Sequence, residues 1–207
     1  MKMIKMQSEN KYLGDEKFKK FLEHYNCPTP LAVVKMKFAG AMCSPNLDLR
    51  PTDVISSFWE ENRAPRLETK EEADLFFKFF MGLWDEIFID VKRNQIELSA
   101  YSPKSMESDF SSLCRQRYEE VEYGFVEGFW GGKENLNLQK YLAEVIDSLS
   151  QMAEVYMTLA DKSKSSGATD NIVKHFRATD KMVEKAIAFL VENSVLPRIE
   201  NLKRTVN

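Results

Sequence analysis

The sequence predicts an all-α protein, a compact multi-helix bundle of about seven helices around a buried central helix. Three observations carry that prediction. Apolar residues recur three and four apart over most of the chain, which is the period of a helix face. The eight glycines and seven prolines fall mostly where such segments begin, end or touch. The stretch from Thr69 to Val91 is apolar round most of a helical circumference, with Ala73, Phe76, Phe77, Phe80, Trp84, Ile87 and Val91 on one stripe and Leu75, Phe79 and Leu83 on another. Such a helix needs cover on nearly every side. Lys70, Lys78, Asp85, Glu86 and Asp90 would each cost about 2.5 kcal/mol or more in a bilayer. The stretch is therefore expected to be the central helix of a protein with no membrane partner.

The elements follow in order. A polar N-terminus, flexible over 1–14, leads to a short helix capped by Asp15, with Phe18, Phe21, Leu22 and Tyr25 inward and Pro28 as its stop. Thr29 and Pro30 form a cap-plus-first-turn pair for a helix carrying Leu31, Val34, Phe38 and Met42, ended by Pro45. Thr52 or Asp53 begins a short helix with Val54, Ile55, Phe58 and Trp59. Thr69 and Glu72 make a capping box for the 69–91 helix. An irregular connection follows, laying Ile96, Leu98 and Tyr101 on the core.

A second long helix starts at Ser108 or Asp109 and carries Phe110, Leu113, Cys114, Val121, Phe125 and Phe129. Gly124 and Gly128 lie on it, and mid-helix glycine costs about 0.8–1.0 kcal/mol against alanine. Two at that spacing imply a neighbouring helix crossing very close, and Gly82 makes the same case from the 69–91 helix. Gly131 and Gly132 supply a left-handed C-cap. Asn137 caps a third long helix through Leu138, Tyr141, Leu142, Val145, Leu149, Met152, Tyr156 and Leu159. A flexible turn, DKSKSSGATD, leads to a last helix from Thr169 or Asp170, which Pro197 kinks or ends. The 207 residues thus read as one helical domain in which 137–207 is an antiparallel hairpin packed on the core.

Composition narrows the function classes. Twenty-nine basic and 32 acidic residues leave a net charge of −3, which offers no footprint for nucleic acid. Three scattered cysteines, Cys27, Cys43 and Cys114, suit a reducing compartment, and with no signal-peptide pattern at the start the expected location is cytoplasmic.

The run MGLWDEIF from Met81 to Phe88, with GFVEG from Gly124 to Gly128, resembles the paired signatures of the uncharacterised bacterial YecA/YgfB-like family. KFAGAMCSPNLDLRPTDV from Lys37 to Val54 is similar to that family's first helix and its proline-rich exit. Departures are Met36 for a helix glycine, Val54 for tryptophan, Asp85 for asparagine, and Val121 and Glu122 for a Trp-Cys pair. The resemblance implies a compact helical cytosolic protein without established catalysis. It also hints at a buried polar contact made by Asp85.

No residue pattern points to chemistry. Neither His24 nor His175 has a glutamate three residues before it, as a di-metal bundle site needs, and the thiols lack zinc spacing. No serine lies in a nucleophile elbow, and no glycine run has a phosphate-loop context. Glu119, Glu120 and Glu122 read as a solvated face, and the basic residues from Arg198 to Arg204 suit a helix C-terminus. The expectation is a non-enzyme with no catalytic residue, cofactor or metal. Phe58, Trp59, Phe129 and Trp130 lie at helix ends beside loops, where aromatic residues either plug the core or bind a protein partner. These four are the candidate partner-binding residues of a protein-interaction or regulatory protein whose partner is unidentified. The alternative is a helical peptide-binding chaperone with an apolar groove between long helices. A homodimer is also compatible, because the long amphipathic C-terminal helices leave apolar area to pair.

Overall fold

The computed structural model describes residues 11–46, 48–102, 106, 109–133 and 136–206. Among these the regular structure is helical and no strand occurs. Helix α1 is Asp15–His24, α2 Leu31–Cys43, α3 Pro51–Ser56 and α4 Lys70–Arg93. Helix α5 runs Phe110–Glu119, passes through a π-helical stretch Glu120–Val126 and ends as Glu127–Trp130. Helix α6 is Lys140–Ser166. Helix α7 runs Asp170–Leu190, then a π-helical stretch Val191–Val195, then Leu196–Val206. The expected flexible 1–14 segment lies largely outside the described residues, but Tyr12 and Leu13 pack on the core.

The buried central helix is α2. Leu31, Val33, Val34, Met36, Phe38, Ala39, Gly40, Ala41 and Cys43 are all buried, against α1, α3, α4, α5 and the π-stretch of α7. Helix α4 is not hidden all round: Phe76, Phe79, Phe80, Leu83, Ile87 and Val91 face inward, while Leu75, Phe77, Phe88 and Ile89 are exposed. Length and side-chain size decide this. Small residues at Ala39, Gly40 and Ala41 let neighbours close on α2, whereas a 24-residue helix about 36 Å long outruns the elements available to wrap it.

The close crossing foretold by Gly124 and Gly128 is the contact of α5 with α2, and Gly40 is its third member. A Cβ on Gly40 would lie 2.1 Å from the Phe125 carbonyl oxygen, and one on Gly128 would lie 2.3 Å from that of Lys37. Seven of the fourteen phenylalanines, Phe18, Phe21, Phe38, Phe58, Phe76, Phe79 and Phe80, fill the space among α1, α2, α3 and α4. Phe18 stacks on Phe79 at 5.6 Å, Phe21 on Phe79 at 4.4 Å and Phe58 on Phe80 at 5.7 Å.

Several caps differ from expectation. Gly14, at φ 93°, precedes α1, and the Asp15 carboxylate instead holds Lys35 at 2.7 Å. Thr29 donates to the Phe58 carbonyl at 2.8 Å and leaves Pro30 as the N-cap of α2. Thr69 accepts from the Glu72 N–H as predicted, but Glu72 reaches back one residue further, to the Glu68 N–H. Asp109 caps α5, Gly131 ends it at φ 56°, and Gln139 rather than Asn137 precedes α6. DKSKSSGATD is mostly helix, with α6 continuing to Ser166 and Gly167, at φ 71°, making the turn.

Helices α6 and α7 pair antiparallel: Tyr156 meets Phe176 and Asp180, while Tyr141 meets Phe189 and Asn193. Pro197 does not end α7, which runs on to Val206 after the π-helical stretch. Proline has no N–H for the carbonyl four residues back, and the Tyr141 hydroxyl donates to that Asn193 oxygen at 3.3 Å. No described helix is long and apolar enough to cross a membrane.

Candidate functional site

A cleft of about 830 Å³ opens where the end of α5 meets α3 and α2. The left-handed turn at Gly131 puts it against Leu49, whose Cδ2 would lie 2.7 Å from an added Cβ. That turn places Trp130 on the wall, with Leu49 and Val54 as further apolar lining. The polar lining is mostly engaged locally. Lys37 pairs with Glu127 at 2.9 Å, Lys133 donates to the Asn46 side chain at 3.1 Å, and Asp53 accepts from the Arg50 N–H at 3.0 Å. Ser56 and Ser57 donate to carbonyls of α3 and keep their oxygens as acceptors. Trp130 is half-buried, and its indole N–H has no hydrogen-bond partner among the described residues.

The other candidate aromatic residues lie elsewhere. Phe58 and Phe129 are buried core side chains, and Trp59 is buried with its indole N–H on the Tyr25 carbonyl at 3.1 Å. These three plug the core, because each helix end on which they sit is itself covered by a neighbour. Trp130 is the most open of the four, and Trp59, 8% exposed, lines a separate hollow with Pro28 and Arg63, so the four do not form one patch.

A second polar assembly was not legible as one in the sequence. Arg117 on α5 donates Nε to Asp180 Oδ1 at 3.1 Å, Nη2 to the Ser99 carbonyl at 2.7 Å, and Nη1 to Ser99 Oγ at 3.0 Å and to Glu120 Oε2. Glu120 in turn accepts from the Ser99 N–H at 2.6 Å and hydroxyl at 3.0 Å, and Tyr156 donates to Asp180 at 2.7 Å. Arg117, Glu120 and Asp180 are all buried. Burial pulls the Arg117 pKa down, but Glu120 and Asp180 more than offset this and the net shift is upward. Burial, with Asp180 beside it, pushes the Tyr156 hydroxyl well up. The network closes on itself and ties α5, α6, α7 and the 94–102 connection together, so its chemistry is that of a clamp. Glu120 thus corrects the reading of Glu119, Glu120 and Glu122 as a solvated face: three residues after Arg117, it continues the inward stripe of Leu113, Cys114 and Arg117. The overlooked signal was a charge on each apolar stripe. Arg117 sits among Leu113, Cys114 and Val121, and Asp180 among Phe176, Val183 and Ile187.

The remaining candidates are structural or exposed. His24 and His175 are exposed. Cys43 and Cys114 are buried, which pushes both thiols up to about 12, and half-buried Cys27 is raised as well. Asp85 is half-buried; desolvation raises its pKa, and no described residue hydrogen-bonds it. Arg198 belongs to a helix C-terminus other than its own: it donates to the carbonyls of Ser44 at 2.6 Å and Cys43 at 3.3 Å, closing the end of α2. Among the described residues no group of three His, Cys, Asp or Glu is placed to hold a metal. Compared with known proteins, the chain matches no family model, no curated protein and no solved structure.

Proposed function

We propose that the chain is a non-enzymatic interaction protein, an adaptor or regulator of the bacterial cytosol, whose Trp130 cleft receives an extended segment of a partner protein. The observation that carries the reading is the Trp130 indole, half-exposed at the cleft wall with an N–H that no described residue accepts. A half-open tryptophan joins apolar area to a directional donor, the combination that dominates contact energetics at protein interfaces. Leu49 and Val54 supply a flat apolar floor beside it, and the oxygens of Ser56 and Ser57 are acceptors of the kind a peptide backbone meets. The resemblance of the Met81–Phe88 and Gly124–Gly128 runs to the YecA/YgfB-like family belongs to the same reading.

The chaperone alternative asks for an apolar groove between the long helices. Leu149, Ala153, Tyr156, Phe176 and Val183 instead pack the α6–α7 side shut, so the geometry favours a single dedicated partner. The test is capture from native lysate at low and moderate salt by the wild type and by Trp130→Ser, with mass spectrometry of what is retained. One dominant protein held by the wild type and lost by Trp130→Ser is expected. Identical retention by both, or a broad set of unfolded clients, would refute the reading.

A further inference from the structure

Helix α4 leaves uncovered a face that its sequence marks for cover. Phe77, Met81, Trp84 and Phe88 lie four, three and four residues apart, the spacing of a helix-pairing seam about 16 Å long. Phe77 is 44% and Phe88 37% exposed, and Met81 and Trp84 are half-buried. Along one flank of this seam, Glu71, Lys78, Asp85 and Lys92 recur at intervals of seven with alternating sign. None of the four has an ion-pair partner among the described residues, and Lys92 lies over the Phe88 ring at 4.7 Å.

We infer that α4 is the homodimerisation element, pairing antiparallel with α4 of a second copy about a two-fold axis near Gly82 and Leu83. That arrangement alone satisfies seam and flank together. Phe77 meets Phe88 of the second copy and Met81 meets Trp84. In the same register Glu71 faces Lys92 and Lys78 faces Asp85, each pair occurring twice by symmetry. A closed two-fold dimer requires such self-complementarity, in which residue i meets j and j meets i. Leu75 and Ile89 lie farther round the helix and stay outside the seam. The contact is small, below the standard interface of about 1,600 Å², so the dimer is a weak one that charge pairing orients. It moves the dimer contact from the C-terminal helices to α4 and does not rest on the Trp130 cleft.

The test is sedimentation equilibrium of the full chain from about 10 to 500 μM, a range that brackets weak association. The wild type is expected to rise from 24.0 kDa toward twice that mass. Lys78→Glu alone and Asp85→Lys alone place like charges together at two sites each and should weaken association about tenfold. The double variant Lys78→Glu/Asp85→Lys re-pairs them and should restore it. Lys78 is exposed and Asp85 half-buried, and circular dichroism reports whether each of the three variants keeps its helices. A wild type that stays monomeric throughout overturns the inference. So does a dimer indifferent to both single reversals, or one that the double reversal fails to restore.

Discussion

Gly40→Ala separates the packing argument from helix propensity, because the two predict opposite signs. Propensity alone makes the variant more stable by about 0.8–1.0 kcal/mol, since α2 gains an alanine. The geometry says otherwise. The new Cβ would lie 2.1 Å from the Phe125 oxygen, 2.8 Å from the Phe129 nitrogen and 2.9 Å from the Phe125 carbonyl carbon, where ordinary contact begins at 3.4 Å. All three obstacles are backbone atoms of a buried helix, so no rotamer change gives way. Helices α2 and α5 must part by about 1.3 Å, and a gap of about 1 Å already forfeits up to half of a contact's dispersion energy. Overpacking that side chains can absorb costs about 1–3 kcal/mol. Rigid backbone on both sides puts this case at about 3–4 kcal/mol, and subtracting the alanine gain leaves a net loss of about 2–3 kcal/mol. For a chain of this size that lowers the Tm by roughly 4–12 °C. Urea unfolding followed by far-ultraviolet circular dichroism measures it, and Gly128→Ala, blocked by the Lys37 backbone at 2.3 Å, should behave alike. A Gly40→Ala variant as stable as the wild type would refute the close crossing of α2 and α5.

Two further outcomes follow from the buried polar and sulfur groups. Arg117→Met strands the Glu120 and Asp180 carboxylates without their cation and should cost about 3–5 kcal/mol, while the triple change Arg117→Met/Glu120→Gln/Asp180→Asn should recover part of that loss in the same unfolding assay; equal losses would show that the charges are not coupled. Native protein should release little colour with a disulfide reagent at pH 8, slowly and from Cys27 alone, against all three thiols once denatured. Burial raises Cys43 and Cys114 to about 12, so the folded chain binds more protons than the unfolded one above the ordinary thiol range. Stability is therefore full below about pH 9 and falls as pH rises from about 9 toward 12; Tyr25 and Tyr118, also raised to about 12, add to the same fall. A urea midpoint flat from pH 8 to 10.5 would contradict this.

Helix positions and types were legible because each apolar stripe repeats over several turns, and Thr69, Asp109 and Gly131 mark ends by mechanisms that act within four residues. The ranking of helices was not legible. Periodicity reports that Phe77 and Phe88 are apolar, not whether the fold has a neighbour to lay on them, and the short α2 became the centre through three small residues whose value depends on what crosses them. Trp130 and Trp59 look alike in sequence because each follows a phenylalanine at a helix end. They part in space because the Tyr25 carbonyl waits for one indole and a cleft for the other. The Arg117 clamp joins residues up to 63 apart, a distance no local pattern encodes.

The Arg198 guanidinium rests on carbonyls 154 and 155 positions earlier, so the end of α2 gains this donor long after α2 itself is made. Translation at about 5–20 residues per second needs roughly eight to thirty seconds to deliver that arginine after Ser44 has been made. Until then the innermost rod of the molecule has an unfinished end, its last carbonyls still lacking their cationic donor. Closure of that end thus waits on residue 198, and a chain cut ahead of it leaves the Ser44 and Cys43 carbonyls without this donor.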